Sequence, residues 1–367
     1  MNIAYRFRIY PTEEQKILLG KTFGCCRFLY NQMLNDKIQE YEKTKKMLKN
    51  TPAMYKREYP FLKEVDSLAL ANVQLHLEKA YKNFFRDPKI GFPKFKSKHH
   101  SRNSYTTNVV NGNILVESKR IRLPKLKWIA MKKHREPAKG LRLKSVTVSM
   151  EPSGKYFASL LYEGDSCENQ AAEPDYSTAK ILGIDYAMQG MAVFSEEIEM
   201  EEAGFFRKNE KRLVREQRKL SRCVRGSHNY ELQKKKVARC HEKIRNQRRD
   251  YLHKLSRKIV DSYDAVAVED IDMKAMGQCL HFGKSVHDNG YGMFREMLDY
   301  KLAWKGKKIV KVDRFFPSSK KCCKCGRIKK ELKLSERVYH CVCGNEMDRD
   351  RNAAINIREE ARRMLIA

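Results

Sequence analysis

The sequence contains no long apolar run. No segment approaches the roughly 18 consecutive apolar residues that a membrane helix requires. Residues 1–6 also lack the apolar stretch of a signal peptide. These absences argue against a membrane protein and a secreted one, so we expect a soluble, intracellular protein with no membrane partner.

Acidic residues are few relative to basic ones. Lysine and arginine total 76 against 45 aspartates and glutamates, which gives a formal net charge of +31. Because 41% of the residues are hydrophobic and 10% are aromatic, a packed core is feasible and wholesale disorder is excluded. At about 150 residues per domain, the 367 residues are enough for two or three domains.

The positive charge is concentrated in two segments. Residues 207–258 hold 20 lysines and arginines against 5 acidic residues, and residues 89–144 hold 16 against 2. The second segment interleaves its cations with aromatic side chains, which can stack on bases while the cations neutralise phosphates. An acidic membrane surface and a merely solvated surface are the alternatives, but nucleic acid, and with it the nucleoid, is the leading partner. The candidate contacts are Lys94, Lys96, Arg120, Lys125, Lys127, Arg215, Arg218 and Arg245.

Cysteine is plentiful, but the eleven residues are an odd number, which fits a secreted disulfide framework poorly. Four of them form two pairs, Cys322-x-x-Cys325 and Cys341-x-Cys343, each followed by glycine. Four thiolates on two such turns can close a tetrahedral Zn²⁺ site and leave no position open for water. We therefore expect one structural zinc ion, with Cys323 competing with Cys322 as a ligand.

The N-terminal half changes its pattern twice. Residues 2–9 alternate as a strand does, and Thr12 with Gln15 three residues later predicts a capping box that begins a helix. A second helix is predicted after Asp66. From about residue 104, hairpin signals predict a small basic β-barrel or sandwich, followed by a polar linker at 164–178.

The C-terminal half has the element order of an RNase H-like fold. Apolar strands alternate with amphipathic helices, and the most basic segment is helical. The predicted order is strands at 180–185, 190–195 and 198–201, a helical hairpin divided at 226–227, a strand at 263–271, a helix at 294–305, a strand at 308–315 and a helix at 353–365.

Three acidic residues fall where that topology would bring them together. Asp185 ends the first strand, Glu269 ends the fourth, and Asp350 opens the terminal helix. If the first and fourth strands are adjacent and parallel, these carboxylates converge on two Mg²⁺ ions about 4 Å apart, the arrangement for phosphodiester hydrolysis. Asp270 and Asp272 are rivals of Glu269, and Asp350 could instead cap its helix.

Six short motifs along the chain are typical of one family. They are FRIYPTEEQ at 7–15, GFPKFK at 91–96, GID at 183–185, VED at 268–270, FPSSK at 316–320, and CG at 343–344 followed by DRDRNAA at 348–354. On these motifs the chain resembles TnpB, the transposon-encoded RNA-guided endonuclease related to type V CRISPR effectors. The resemblance covers almost the whole chain.

The resemblance implies a multidomain α+β fold. It consists of an RNase H-like (RuvC) nuclease with a zinc-ribbon insert, preceded by an oligonucleotide-binding β-barrel that carries a helical recognition insert. It also implies that Asp185, Glu269 and Asp350 are the catalytic acids. The implied boundaries are 1–10 and 101–178 for the barrel (wedge) domain, 11–100 for the recognition domain, 179–316 and 345–367 for the nuclease, and 317–344 for the zinc insert.

These features predict an RNA-guided, Mg²⁺-dependent endonuclease that cuts double-stranded DNA beside a short target-adjacent motif. Guidance by an RNA from the transposon end rests on the resemblance alone, and we expect a monomer in the ribonucleoprotein. One alternative is a nuclease-inactive, RNA-guided DNA-binding regulator, although such a descendant would be expected to lose an acid. Another is a DDE-type transposase, against which the zinc insert argues. A tyrosine transposase of the His-hydrophobic-His class is not supported, because that histidine pair is absent.

Overall fold

In a computed structural model, the residues described are 2–164, 174–187, 191–199, 204–271, 290–333 and 335–367. They belong to two compact units, Met1–Ser166 and Cys167–Ala367. The boundary between the units lies inside the segment 164–178, which the sequence predicts to be a linker. Among the described residues, no helix is both long enough and apolar enough to cross a membrane.

A seven-stranded antiparallel sheet forms much of the first unit. Its strands are β1 (Asn2–Tyr10), β2 (Asn103–Asn108), β3 (Leu115–Val116), β4 (Arg120–Leu123), β5 (Lys127–Lys132), β6 (Arg142–Met150) and β7 (Tyr156–Glu163). They lie in the order β2-β6-β7-β1-β5-β4-β3, so the N-terminal strand is central. Tyr5, Phe7 and Ile9 of β1 are buried and alternate with more exposed residues, as the period of a strand requires. Among the described strands, β2 pairs only with β6 and β3 only with β4, so closure into a barrel stays a prediction.

Three helices connect β1 to β2. They are α1 (Glu13–Thr44), α2 (Pro52–Glu58) and α3 (Ser67–Arg86), with short 3-10 helices at Pro60–Lys63 and Pro88–Ile90. The predicted capping box begins α1: the Gln15 amide donates to Thr12 Oγ1 at 3.3 Å, and the Thr12 amide donates to Gln15 Oε1 at 3.0 Å. The Asp66 carboxylate caps α3 by accepting from the Leu68 amide at 3.0 Å. α1 and α3 share one apolar core with the sheet.

A four-stranded mixed sheet is the centre of the second unit. Its strands are β8 (Ile181–Ala187), β9 (Met191–Phe194), β10 (Ala265–Glu269) and β11 (Lys308–Val312), in the order β11-β10-β8-β9. β10 is parallel to both β8 and β11, whereas β9 is antiparallel to β8. Of the strand predicted at 198–201, residues 198–199 have no regular structure, and 200–201 lie outside the described residues.

Helices cover both faces of this sheet. The helices of this unit are α4 (Phe205–Ser221), α5 (His228–Ser262), α6 (Tyr291–Trp304) and α7 (Arg349–Ile366), of which α5, α6 and α7 pack on the sheet. Leu182 and Val266 pack with residues of α5 and α6, whereas Ile181 and Ala265 pack with residues of α7. Because side chains alternate along a strand and both faces are covered, residues 181–184 of β8 and 265–268 of β10 are all apolar.

The basic helical region is a hairpin, as the sequence predicts. α4 and α5 share a small core around Leu213, Cys240 and Ile244, and the Ser227 side chain caps α5. A two-stranded ribbon, β12 (Val338–His340) and β13 (Glu346–Asp348), lies between β11 and α7 in the chain, and the turn that connects its strands holds the second cysteine pair.

Candidate active site and metal centre

Asp185 and Glu269 are neighbours on β8 and β10. These parallel strands pair with Val268 opposite Ile184, so the next residue on each strand is an acid. Asp185 is four residues after Ile181, and successive side chains point to opposite faces of a sheet. Both carboxylates therefore belong to the face that α7 covers.

The third acid reaches this edge because α7 packs very close to β8. A Cβ atom at Gly183 would lie 2.0 Å from the carbonyl oxygen of Ala354, so the contact requires glycine. Asp350 lies in the first turn of α7. The N-cap is Asp348, whose carboxylate accepts from the Arg351 amide at 2.8 Å. The alternative that Asp350 caps the helix is therefore wrong.

Burial and mutual repulsion dominate the electrostatics of this group of acids, which we call the carboxylate edge. Loss of solvation, with repulsion from Glu269 and Asp350, raises the pKa of Asp185 to about 8. Burial also raises the pKa of Glu269. Arg349 opposes the shift at Asp185, and its guanidinium lies 3.2 Å from the Asp350 carboxylate. Ionised carboxylates that are buried and repel one another are unfavourable alone, and a bound divalent cation would stabilise them.

The carboxylate edge is defined by strand register and by the packing of α7. Among the described residues, the group whose metal-ligating atoms all lie within 4.8 Å of one another is that of the four cysteines below.

The neighbouring acid Asp270 has other partners. Its carboxylate lies 3.9 Å from Arg295 of α6 and 3.7 Å from Arg314. Two cations already offset its charge, so Asp270 is a weaker candidate than Glu269. The other rival, Asp272, lies outside the described residues.

A tyrosine that the sequence analysis missed borders the carboxylate edge. Tyr291 opens α6, is 1% exposed, and has its ring centroid 4.9 Å from that of Tyr186. Its hydroxyl makes no hydrogen bond with any described residue. Burial and the charges of Asp185 and Glu269 raise the pKa of Tyr291, so the hydroxyl keeps its proton and can donate. No motif marks this residue, because only the packing of α6 on the sheet brings it here.

The four predicted cysteine ligands meet between β11 and α7. Their Sγ atoms all lie within 4.8 Å of one another, with Cys322 3.7 Å from Cys343 and Cys325 3.6 Å from Cys341. Zn–S bonds of about 2.3 Å in a tetrahedron separate the sulfurs by about 3.8 Å. The spacing therefore fits a Zn²⁺ ion held by these four thiolates.

Each cysteine pair lies on a turn that ends in glycine. The Gly326 amide donates to the Cys322 carbonyl at 2.9 Å, and the Gly344 amide donates to the Cys341 carbonyl at 3.0 Å. Both glycines have positive φ, 75° and 81°, where a side chain would be strained. The shortened second pair thus forms the same kind of turn as the first.

Cys323 lies outside the cysteine cluster. Its Sγ is 3.4 Å from the Met347 sulfur and accepts from the Asn345 side chain at 3.5 Å. The Asn345 amide group also donates to the Cys322 sulfur at 3.5 Å. Of the two adjacent cysteines, Cys322 is therefore the one that the structure brings to the other three.

Two buried asparagines of α7 join that helix to the cysteine insert. Asn352 accepts from the Cys323 amide at 3.1 Å and donates to the Lys321 carbonyl at 2.8 Å. Asn356, one turn later, donates to the Ser318 carbonyl at 2.8 Å and to the Lys321 carbonyl at 2.6 Å. The sequence analysis missed this link, although two asparagines four residues apart lie on one helix face.

The predicted nucleic-acid contacts occupy different environments. Arg120 is exposed but pairs with Glu117 at 2.6 Å and lies 4.4 Å from the Trp128 ring centroid. Lys96 is half-buried, its ammonium lies 3.8 Å from the Tyr30 ring centroid, and burial lowers its pKa. A packing role therefore accounts for Lys96. The remaining six are exposed: Lys94, Lys125, Lys127, Arg215, Arg218 and Arg245.

Comparison with known proteins supports one family. Family models match residues 160–279 ("Probable transposase"), 291–357 ("Cas12f1-like, TNB domain") and 1–46 ("Helix-turn-helix domain"), although the last segment forms β1 and the continuous helix α1 in this protein. A Streptomyces pristinaespiralis protein named "Putative RNA-guided DNA endonuclease" is 33% identical over 366 residues, covering 96% of this chain and 88% of the relative. The similarly named InsQ of Escherichia coli K12 is 31% identical over 382 residues, covering 96% and 91%.

Among solved structures, a cryo-EM structure of a Cas12f1-sgRNA-target DNA complex matches with a TM-score of 0.59 over 98% of each chain, at 14% identity. At that identity the likeness is one of fold, a multidomain α+β fold of the Cas12f kind with a clustered set of four cysteines. The relatives matched over nearly their whole length are named as RNA-guided DNA endonucleases, and the molecule is a nuclease. Given its identity to nearly full-length relatives, the chain belongs to the TnpB family of RNA-guided DNA endonucleases.

Proposed function

We propose that the protein is an RNA-guided, Mg²⁺-dependent endonuclease that cuts double-stranded DNA beside a short target-adjacent motif. The observation that carries the proposal is the buried carboxyl of Asp185, repelled by Glu269 and Asp350 at one edge of the sheet. Buried acids without a compensating charge are costly, so the arrangement favours bound cations. Family membership and the names of the relatives support RNA guidance and a DNA target.

In this proposal Asp185, Glu269 and Asp350 hold two Mg²⁺ ions. When bound, the ions supply activation of water and stabilisation of the departing 3′ oxygen. Strand register sets the positions of the first two acids, and the close approach of α7 to Gly183 sets the third. The Tyr291 hydroxyl, which has no partner among the described residues, would be free to donate a hydrogen bond toward the carboxylate edge once the ions are bound.

The domain assignment is part of the same proposal. The nuclease domain covers 179–316 and 345–367, with the zinc insert at 317–344, and its RNase H-like character is supported by the strand order β11-β10-β8-β9. The wedge barrel covers 1–10 and 101–178, and the recognition domain covers 11–100. Tyr176 and Ala179 pack with Ile181 in the second unit.

The cysteine cluster would hold one Zn²⁺ ion in a structural role. All four ligand positions are filled by protein thiolates, so the ion would have no open position for a reacting group. Its contribution is to fix the insert, and through Asn352 and Asn356 the start of α7, where Asp350 lies.

The proposed partners are a guide RNA from the end of a transposon and the target DNA. The cations of α4 support a polyanionic partner, because several of them line one surface groove. Its basic residues are Arg207, Lys211, Arg215, Arg218, Lys219 and Arg222.

The test is plasmid cleavage by the purified ribonucleoprotein, after the RNA that copurifies has been sequenced. We expect a plasmid with a guide-matched site to be linearised in Mg²⁺, and a mismatched plasmid to stay intact. An intact matched plasmid, with RNA and target both bound, would contradict the proposal and favour the regulator. Covalently joined donor and target strands would favour the transposase.

A further inference from the structure

An exposed aromatic cluster lies where α3 ends. Tyr81 is buried beneath it, whereas Phe85 and Phe92 are 66% and 45% exposed. The Tyr81 ring lies 6.2 Å from the Phe85 ring at an angle of 23°, and 5.6 Å from the Phe92 ring, edge to face. Phe84 packs 5.4 Å from both phenylalanines. We call Tyr81, Phe84, Phe85 and Phe92 the aromatic platform.

The turn after α3 holds the platform open. Asp87 accepts from the Lys89 amide at 3.0 Å in the 3-10 helix Pro88–Ile90, and Gly91 at φ 82° returns the chain toward Tyr81. A little further on, Asn31 pairs with both backbone groups of Lys96, at 2.8 and 2.9 Å. The backbone that carries Phe92 is thus held by its own hydrogen bonds, which lowers the entropic cost of binding.

The chain segments that form the platform carry many more cations than acids. Asp87 is the only acid between residues 79 and 116, and its carboxylate is engaged in the turn. The nearby cations are exposed and form no ion pair within the described part of the chain. They are Lys82, Arg86, Lys89, Lys94 and Lys98.

Exposed rings among unpaired cations match the requirements of single-stranded nucleic acid. Every base has an apolar face that can stack on phenylalanine, and every phosphate can be neutralised by lysine or arginine. A purely apolar partner would leave the cations unpaired, and duplex DNA keeps its base faces stacked. Stacking on phenylalanine and contacts to phosphates carry no sequence information, so the surface suits a strand of variable sequence better than a guide scaffold of fixed sequence.

We infer that the aromatic platform binds single-stranded DNA, with Phe85 and Phe92 stacking on unpaired bases and the surrounding cations contacting phosphates. The inference rests on the proposed function only for the source of that strand, which is the one displaced when the target duplex is opened.

The test compares the affinities of full-length variants for a short fluorescein-labelled oligo(dT), measured by anisotropy. Phe85→Leu keeps an apolar side chain but removes the ring, so we expect about tenfold weaker binding. Phe85→Tyr keeps the ring and should bind as the wild type does. Since Phe85 is 66% exposed, both variants should unfold at the wild-type temperature.

Phe61→Leu is the matched control. Phe61 is 43% exposed in the same unit and packs against Phe28 and Tyr59 at 5.3 and 6.0 Å. Glu58 and Glu64 flank it in the sequence, so its surroundings are not uniformly basic. We expect this variant to bind oligo(dT) with unchanged affinity.

Wild-type affinity of Phe85→Leu would overturn the inference, since an apolar docking surface for protein tolerates leucine. Equal weakening by Phe61→Leu would also overturn it. In the ribonucleoprotein, 2-aminopurine in the displaced strand should be quenched by the wild type and less by Phe85→Leu. Equal quenching would overturn the assignment to that strand. The oligo(dT) measurement needs no guided cleavage, so failure of the proposed function would be seen separately.

Discussion

The cysteine cluster and the carboxylate edge both gather groups that bind metal ions as anions, but they are built differently. The cysteines lie on two adjacent turns, and backbone hydrogen bonds to Gly326 and Gly344 shape each turn. The carboxylates come from two strands separated by the α4 and α5 hairpin and from the terminal helix. The first arrangement is local, whereas the second depends on sheet register and helix packing.

This difference predicts different weaknesses. A local cluster tolerates distant changes, but it fails when one ligand is lost. The carboxylate edge can fail through Gly183, whose side-chain position would overlap the backbone of α7. The two sites are also joined, because Asn352 and Asn356 bind the segment beside the first cysteine pair.

The largest effect is expected for Asp185→Ala. Removing the buried carboxylate should lower the cleavage rate by at least about 10³-fold, because the ions lose a shared ligand. Binding of RNA and target should change little. The measurement is single-turnover plasmid cleavage together with a gel-shift assay.

Asp270→Asn is the matched control for that variant, since Asp270 already pairs with Arg295 and Arg314. Its cleavage rate should stay within about tenfold of the wild type. Equal losses in the two variants would remove the distinction between these acids.

Cys341→Ser should disrupt the cysteine cluster and so test whether the carboxylate edge depends on it. We expect loss of the bound zinc, measured by elemental analysis, and about 10²-fold slower cleavage, because the anchor of α7 is loosened. Cys323→Ser, outside the cluster, should keep its zinc. A zinc-free protein that cuts at the full rate would show that the two sites are independent.

Gly183→Ala should destabilise the second unit. The new Cβ would lie 2.0 Å from the Ala354 carbonyl oxygen, so α7 must shift, at a cost of about 3 kcal/mol in the free energy of unfolding. Gly20→Ala in α1 is the control, because nothing lies within 4 Å of its Cβ and alanine favours a helix by about 0.5–1 kcal/mol. Urea unfolding measures both changes, and an unchanged midpoint for Gly183→Ala would contradict the close contact.

Stability in magnesium-free buffer should depend on pH through Asp185. Its native pKa of about 8 exceeds the ordinary 3.8, so between these values the native state keeps a proton that the unfolded state has lost. The stabilisation of the native state by the proton on Asp185 is therefore complete below about pH 4 and is lost as the pH rises through 8. Asp185→Asn stays neutral and should be about 1–3 kcal/mol more stable than the wild type at pH 9. Parallel stability curves for the two proteins would contradict the burial of this charge.

The smallest effect is expected for Tyr291→Phe. Losing one hydrogen-bond donor beside the carboxylates should slow cleavage by about tenfold and raise the Mg²⁺ concentration for half-maximal rate. Tyr300→Phe, on the same helix, should change neither value. A rate loss without any change in the Mg²⁺ dependence would argue against an orienting role.

Structural features formed by residues that are close together in the sequence could be predicted from it. The capping box at Thr12 and Gln15 and the division of the basic hairpin at Ser227 depend on a few adjacent residues. The strand predicted at 198–201 did not appear at residues 198–199, because an alternating pattern does not supply a pairing partner. Closure of the first sheet into a barrel likewise depends on distant strands.

The amino-acid sequence alone determined which residue types carry the chemistry, namely the cysteine pairs, the candidate acids and the two basic segments. Only the tertiary structure decided between adjacent candidates: Asp348 caps α7, Asp270 pairs with arginines, and Cys323 lies outside the cluster. It alone also brought Tyr291 to the acids. The reason is that spacing along a chain sets local turns, whereas register and packing set which face a side chain occupies and how far it is buried.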